Sequence, residues 1–255
     1  LFFLSITIFS SYKIFKWSIN NKETNNLVEK INDIVDVKEY NDNENTSLIS
    51  QEDDKESPYW YYIKFPLINV DISKLKKENS DVVGWINVNN TNINYPFVQT
   101  TNNDFYLDHS IDKSYNEAGW LFLDYRNDNN LNNKNSIIYA HSRLDKSMFG
   151  SLSKVLKSSW YNNKDNHIIR ISLENENNLW QIFSVYKIKT ESYYITTYFE
   201  NDNEYLNFLN TIKERSLYDF NTSLNKEDKI LTLSTCYSDT ERTVVHAKLI
   251  KKSTK

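Results

Sequence analysis

The chain has 255 residues, a formal net charge of −4, and 39% hydrophobic and 15% aromatic residues. This length and apolar content suffice for one globular domain of roughly 200 residues and a short appendage. The slightly acidic balance excludes the concentrated basic surface that phosphate neutralisation requires, so we expect no nucleic-acid partner. A single cysteine, Cys236, excludes an internal disulfide and leaves one free thiol to explain.

Residues 1–19 are predicted to be part of an N-terminal membrane anchor. The run 1–12 carries no charge, and Lys13, Lys16 and Trp17 follow it with side chains suited to a membrane interface. Twelve residues of helix span only about 18 Å, so we expect the anchor to begin before this sequence does. A cleaved signal peptide is the alternative, but no small-residue cleavage site follows the apolar run.

Residues 20–57 are predicted to form an amphipathic helix followed by a polar linker. Between residues 20 and 40, apolar positions recur at spacings of three and four, as in a helix that packs on a larger body: Leu27, Ile31, Ile34 and Val35. The acidic stretch 41–57 is predicted to be a solvated linker, and a ligand site at Glu52, Asp53 and Asp54 is the less favoured alternative.

Residues 58–255 are predicted to form a mainly β domain. Short apolar and β-branched runs separated by turn residues favour a closed or nearly closed barrel of about eight strands. The predicted strands are 82–88, 93–98, 119–125, 137–140, 167–173, 179–189, 230–236 and 243–251. Two helices are predicted between strands, at 146–158 and 203–216, and the second lies in the long connection before the strand of Cys236.

Three side chains with possible catalytic roles lie at the ends of predicted strands. Cys236 ends one strand, His141 follows another, and Arg242 opens a third. A thiol needs a neighbouring imidazole to become a nucleophile, and a guanidinium is a permanent cation suited to stabilising an oxyanion. The alternatives are a buried structural Cys236 and an Arg242 that pairs with Asp239 or Glu241.

The remaining histidines do not predict a metal site or a bound cofactor. His109 and His167 lack partners at metal-ligand spacing, and His246 lies inside a strand, where a structural role is favoured. The sequence has neither an H-E-x-x-H pattern nor a Cys-x-x-Cys pair.

Several motifs together resemble the sortases, membrane-anchored cysteine transpeptidases of Gram-positive cell surfaces, and most resemble class B. The motifs are Thr232-Leu233-Ser234-Thr235-Cys236 with Arg242, Tyr139-Ala140-His141-Ser142, Tyr95-Pro96-Phe97-Val98-Gln99, Asn103-Asp104-Phe105-Tyr106-Leu107, 119–126, and the inserted helix around 199–215. The resemblance covers about residues 59–251. It implies a sortase-like closed β-barrel with an N-terminal helix and a helix inserted before the cysteine strand.

The resemblance also implies roles for individual residues. Cys236 would attack the carbonyl carbon of a Thr in a sorting signal, His141 would transfer protons, and Arg242 would hold the oxyanion. The peptide-binding groove would be formed by Asn103, Leu107, Thr190, Tyr194, Ile195 and Ser234. The loop between Cys236 and Arg242 is short, which puts a fourth catalytic role for Asp239 in doubt.

The implied partners are surface proteins that carry a sorting signal and an amine acceptor on peptidoglycan or its lipid-linked precursor. The implied localisation is the cell membrane, with a single-pass N-terminal anchor and an extracellular catalytic domain. The alternatives are a cysteine endopeptidase that uses water as acceptor, a non-catalytic surface binding domain, and an enzyme that assembles pilins.

Overall fold

The computed structural model describes residues 2–40, 45–49, 54–236 and 241–255, with Cys236 described by its main chain. The α-helices of these residues are α1 (Phe2–Ile34), α2 (Tyr59–Tyr62), α3 (Ile72–Glu78), α4 (Ser158–Tyr161) and α5 (Asp202–Glu214). The strands are β1 (Lys38–Tyr40), β2 (Thr46–Leu48), β3 (Leu67–Asn69), β4 (Val82–Val88), β5 (Asn94–Val98), β6 (Phe122–Leu123), β7 (Asn135–His141), β8 (Ile168–Leu173), β9 (Glu176–Lys189), β10 (Ile230–Cys236) and β11 (Glu241–Thr254).

Eight strands close into a barrel in the order β4-β5-β6-β7-β10-β11-β9-β8, with β8 returning to β4. The pairs β5–β6 and β7–β10 are parallel, and the other pairs are antiparallel. Closure leaves no free edge within the ring, so every strand of the barrel has two hydrogen-bonded neighbours. The prediction of a mainly β, closed barrel of about eight strands with an N-terminal helix is confirmed.

Strand β9 shows how alternation builds two layers of apolar packing. Ile182 points into the barrel core, whereas its neighbour Phe183 packs outside the barrel against α5. Large apolar side chains fill the interior: Trp85, Phe97, Trp120, Ile138, Trp180, Leu231 and Val245. The strands are therefore held from both faces, which fixes the positions of their ends.

Helix α5 covers the strand that carries Cys236. Asn201 caps the helix by accepting a 3.0 Å hydrogen bond from the backbone N–H of Glu204. Its apolar face buries Tyr205, Phe208, Leu209 and Ile212 against Phe183 and Ile230. The predicted helix at 203–216 is thus present, and it supports β10 from outside.

Several segments differ from the prediction, and the predicted strand 119–125 is reduced to Phe122–Leu123. The 146–158 segment forms a 3-10 helix, Gly150–Leu156, before the short α4, because apolar spacing alone does not separate the two helix types. The first predicted helix ends at Ile34, and Lys38–Tyr40 pairs with β3 instead. The polar stretch 41–57 contains β2, which pairs with β11, whereas Glu52 and Asp53 lie outside the described residues.

Helix α1 joins the predicted anchor and the predicted amphipathic helix into one element. Its second half packs on the barrel through Ile31, and Lys30 forms a 2.9 Å ion pair with Glu78. Its first half is exposed, and apolar side chains there alternate with Ser5, Thr7 and other polar residues.

None of the helices in the described part of the chain combines the length with the apolarity that crossing a bilayer demands. The twelve uncharged residues are too few to span the hydrocarbon core, and any longer segment that begins with them includes Lys13 and Lys16. The hydroxyl side chains of Ser5, Thr7, Ser10 and Ser11 lower the mean hydropathy as well. This finding contradicts the predicted localisation at the cell membrane through a single-pass N-terminal anchor in residues 1–19.

His167 is buried in an aromatic cluster and stays neutral. Its Nε2–H donates to the carbonyl of Tyr161 over 2.7 Å, and the hydroxyl of Tyr62 donates to its Nδ1 over 2.8 Å. Burial lowers the pKa of His167 to about 4, and burial lowers the pKa of the fully buried His246 to about 3. Because the unfolded state binds more protons than the folded state between pH 4 and 6.5, stability rises with pH across that window.

We expect acidification from pH 6.5 to pH 5 to lower the free energy of unfolding by about 1.6 kcal/mol for each of these histidines. His167→Gln should remove about half of this pH dependence, leaving the contribution of His246. Urea unfolding of both proteins at pH 5, 6 and 7 measures the two slopes. Equal slopes in the variant and the parent would contradict the assignment.

Candidate active site

Strand β10 places Cys236 between the two residues predicted to assist it. The parallel ladder with β7 sets Cys236 opposite His141, and the antiparallel ladder with β11 sets it opposite Arg242. Neighbouring strands lie about 4.8 Å apart, so the main chain at Cys236 is one strand spacing from each. Three residues that are distant in sequence therefore meet at one end of the barrel.

The imidazole of His141 is oriented by a backbone carbonyl. Its Nε2 lies 2.7 Å from the carbonyl oxygen of Leu107, and a carbonyl only accepts, so Nε2 carries a proton. The lone pair of the neutral ring is therefore on Nδ1, which becomes the atom that can take up a proton. The side chain is half-buried, which leaves it accessible to a ligand.

The carbonyl of Leu107 is held in place by a tightly packed turn. Asn102 Oδ1 accepts hydrogen bonds from the backbone N–H groups of Asp104 and Phe105, which starts the 3-10 helix Phe105–Leu107. Gly119 has a φ of +58° and lies against this turn: a Cβ there would come within 2.7 Å of the Leu107 oxygen. Only glycine allows the two segments to approach so closely.

Arg242 is held at the mouth of the barrel by its own strand. Its Nη1 donates a 3.2 Å hydrogen bond to the carbonyl of Glu241, and its main chain pairs with Ile188 on β9. A guanidinium keeps its charge at any relevant pH, so it provides a permanent positive group one strand away from Cys236.

A groove of about 290 Å³ runs past these residues. It is lined by every predicted site residue whose side chain the structure describes: His141, Arg242, Asn103, Leu107, Thr190, Tyr194, Ile195 and Ser234. The structure adds lining residues that sequence reasoning missed: Phe122, Tyr139, Ala140, Glu191 and Thr235. Tyr139 and Ala140 directly precede His141, and their place in the same strand was the available signal. Asp239 lies outside the described residues.

An ion pair between the buried Asp124 and the exposed Arg126 lies beside the groove residue Tyr139. The Asp124 carboxylate is fully buried and receives hydrogen bonds from Arg126 (2.6 and 2.8 Å) and from the hydroxyl of Tyr139 (2.9 Å). Burial alone would raise the pKa of Asp124, but the hydrogen bonds from Arg126 and Tyr139 outweigh it and lower that pKa. Burial raises the pKa of Tyr139, so the phenol stays a donor.

The groove wall opposite Leu107 is formed by Thr190, Glu191, Tyr194 and Ile195, and it is bonded to the barrel and to α5. The hydroxyls of Tyr194 and Ser234 are hydrogen-bonded over 3.0 Å, so Ser234 contacts the wall beside the cysteine strand. Arg126 donates from Nη2 to the carbonyl of Ile195 over 3.1 Å. Glu191 forms a 2.5 Å ion pair with Arg215 at the end of α5. The wall is therefore anchored at several points along its length.

We expect Gly119→Ala to displace the Leu107 carbonyl from His141, because the added methyl cannot fit against two backbone oxygens. Stability should fall by about 2 kcal/mol or more, as for other strained backbone substitutions. Nitrogen NMR of the imidazole should show loss of the fixed Nε2–H tautomer. Unchanged imidazole shifts in the variant would contradict the role given to this carbonyl.

Comparisons with known proteins agree with the geometry. The family model described as Sortase domain matches residues 86–250. The chain is 36% identical over 190 residues to Sortase B of Listeria monocytogenes, covering 71% of this chain and 75% of that protein. It is 38% identical over 192 residues to Sortase B of Staphylococcus aureus, covering 73% and 77%.

Solved structures give the same result. The Staphylococcus aureus sortase B–substrate complex superposes with a TM-score of 0.66 and 39% identity, covering 70% of this chain and 84% of that one. Sortase B of B. anthracis superposes with a TM-score of 0.71 and 32% identity, covering 93% and 99%. With the matched barrel and the assembled site, the chain belongs to the sortase family of cysteine transpeptidases, within class B.

Proposed function

We propose that this sortase cleaves a sorting-signal peptide after a Thr through a thioacyl intermediate on Cys236 and transfers the acyl group to a cell-wall amine. The observation that carries the proposal is the ladder register, which sets Cys236 between His141 and Arg242 beside a groove. The substrate complex of the Staphylococcus aureus relative supports a peptide as the ligand of such a groove.

In the first half of the reaction, the proton of the Cys236 thiol passes to His141, and the resulting thiolate attacks the carbonyl carbon of the substrate Thr. The developing oxyanion is stabilised by the guanidinium of Arg242, which lies one strand away. When the C–N bond breaks, the leaving amine takes a proton from His141, and the substrate's N-terminal part remains as a thioester.

In the second half, an amine attacks the thioester carbon. His141 takes the proton from the incoming amine, the C–S bond breaks, and the thiolate of Cys236 is restored. The net change is one amide bond exchanged for another, so no oxidant, metal or nucleotide is required. On peptidoglycan or its lipid-linked precursor, the acceptor would be a free side-chain amine of the wall peptide.

The groove supports transfer to an amine in preference to water. Phe122, Tyr139, Tyr194 and Ile195 give it a largely apolar lining around the reacting residues. Such walls limit access of water to the thioester once a peptide covers them, which lets a bound amine compete.

We expect the protein to cleave sorting-signal peptides, and an added amine to divert the product from acid to amide. Cys236→Ala should abolish both products while retaining peptide binding. Chromatography of a peptide panel, with and without an amine, measures this directly. Cleavage that ignores the amine would identify an endopeptidase, and cleavage by Cys236→Ala would contradict the proposed nucleophile.

Arg242→Lys should lower kcat about 100-fold, because an ammonium keeps the charge but loses the planar set of donors aimed at the oxyanion. Arg170→Lys is the matched control. Arg170 bonds Asn87, Asn89 and Glu39 and is not among the groove-lining residues. Equal activities of the two variants would contradict the role of Arg242.

A further inference from the structure

A chain of buried polar side chains runs through the barrel wall behind the groove. The hydroxyl of Tyr186 lies 2.8 Å from Nε2 of His246, and Nδ1 of the same ring lies 2.8 Å from the hydroxyl of Thr232. That hydroxyl in turn lies 2.6 Å from Oδ1 of Asn135. All four residues are buried. They come from four strands, since Tyr186 is on β9, His246 on β11, Thr232 on β10 and Asn135 on β7.

The direction of each hydrogen bond in this chain is determined. Asn135 Oδ1 only accepts, so the hydroxyl of Thr232 donates to it and accepts from Nδ1–H of His246. Nε2 of His246 then carries the lone pair and accepts from Tyr186. Burial keeps this histidine neutral, as the chain requires. Each member therefore depends on the next for its orientation.

This chain of hydrogen bonds ends at the groove wall. Asn135 Nδ2 donates to the carbonyl of Tyr194 over 3.3 Å and to the carbonyl of Thr196 over 2.9 Å. The carbonyl between them, that of Ile195, accepts from Arg126. Three successive carbonyls are thus held by side chains that reach out from the barrel, and two of these residues, Tyr194 and Ile195, line the groove.

We propose that Asn135, Thr232 and His246 are positioning residues that fix the Tyr194–Thr196 wall and thereby set the affinity of the groove for peptide. The affinity part rests on the proposed function. The proposal gives a role to Thr232, which opens the motif that ends in Cys236 and does not itself line the groove. The same strand thus carries the cysteine at its end and a support of the groove wall in its middle.

Two isosteric variants test the proposal. Thr232→Val removes the hydroxyl that links His246 to Asn135. Thr243→Val is the matched control, because Thr243 is equally buried on the neighbouring β11 and its hydroxyl has no hydrogen-bond partner among the described residues. Thr232→Ser, which restores the hydroxyl, is the conservative rescue.

Hydrogen exchange measures the wall without any substrate. The backbone N–H groups of Ile195 and Thr196 are hydrogen-bonded within the wall, so their exchange reports its opening. We expect exchange at these two amides to be about five times faster in Thr232→Val, and unchanged in Thr243→Val and Thr232→Ser. Unchanged exchange in Thr232→Val, or equal acceleration in Thr243→Val, would overturn the positioning role.

Peptide titration measures the consequence for binding. In a Cys236→Ala background, Thr232→Val should weaken peptide binding about fivefold to tenfold, and in the active protein it should raise KM while leaving kcat within about twofold. A purely structural role would lower the melting temperature and leave KM unchanged, which would overturn the affinity claim. Absence of peptide binding by the parent would refute the proposed function, whereas hydrogen exchange would still decide the positioning role.

Should Thr232→Val not fold, Asn135→Ser provides the same comparison. It removes the amide that donates to the carbonyls of Tyr194 and Thr196, so it tests the last link of the hydrogen-bond chain directly. Faster exchange of the wall amides in Asn135→Ser would support the proposal, and unchanged exchange would overturn it.

Discussion

The pairing of β10 with both β7 and β11 is the constraint on which the site depends. β10 is parallel to β7, so the ends of these two strands meet at the same edge, where Cys236 and His141 stand opposite each other. β11 then closes the barrel against β10 and brings Arg242 to the same level. A one-residue slip of β10 would move Cys236 away from both His141 and Arg242. It would also turn Leu231 and Leu233 of β10 out of the core, and the loss of their burial opposes the slip.

Around this fixed edge, hydrogen bonds from one backbone carbonyl and from buried polar side chains hold the residues of the groove in place. The Leu107 carbonyl orients His141, Asp124 orients Arg126 and Tyr139, and Asn135 secures two carbonyls of the opposite wall. Asp124 and Asn135 are buried, and buried polar groups are costly unless their partners are present, so the hydrogen bonds of these two residues make the walls well defined. A groove with rigid walls loses little entropy when a peptide binds.

The strands and the three residues at their edges could be predicted from sequence, because β-branched runs and a lone cysteine are local signals. The hydrogen-bond network that supports the groove wall could not be predicted from the sequence. Asn135 looks like any other Asn in a sequence where Asn supplies many turns, and its partners Thr232 and Tyr194 lie far away along the chain. The anchor prediction failed for the opposite reason: it took Lys13 and Lys16 as interface residues beside a local apolar run, whereas no helix of the described residues is both long and apolar enough to cross a membrane.

Detection of the covalent intermediate decides whether Cys236 is the nucleophile. The protein is mixed with a sorting-signal peptide, quenched in acid within seconds, and analysed by intact mass spectrometry and peptide mapping. We expect an added mass equal to the substrate's N-terminal part less water, located on Cys236 and discharged when an amine is added before the quench. Cleavage without any adduct, or an adduct on another residue, would contradict a thioacyl intermediate on Cys236.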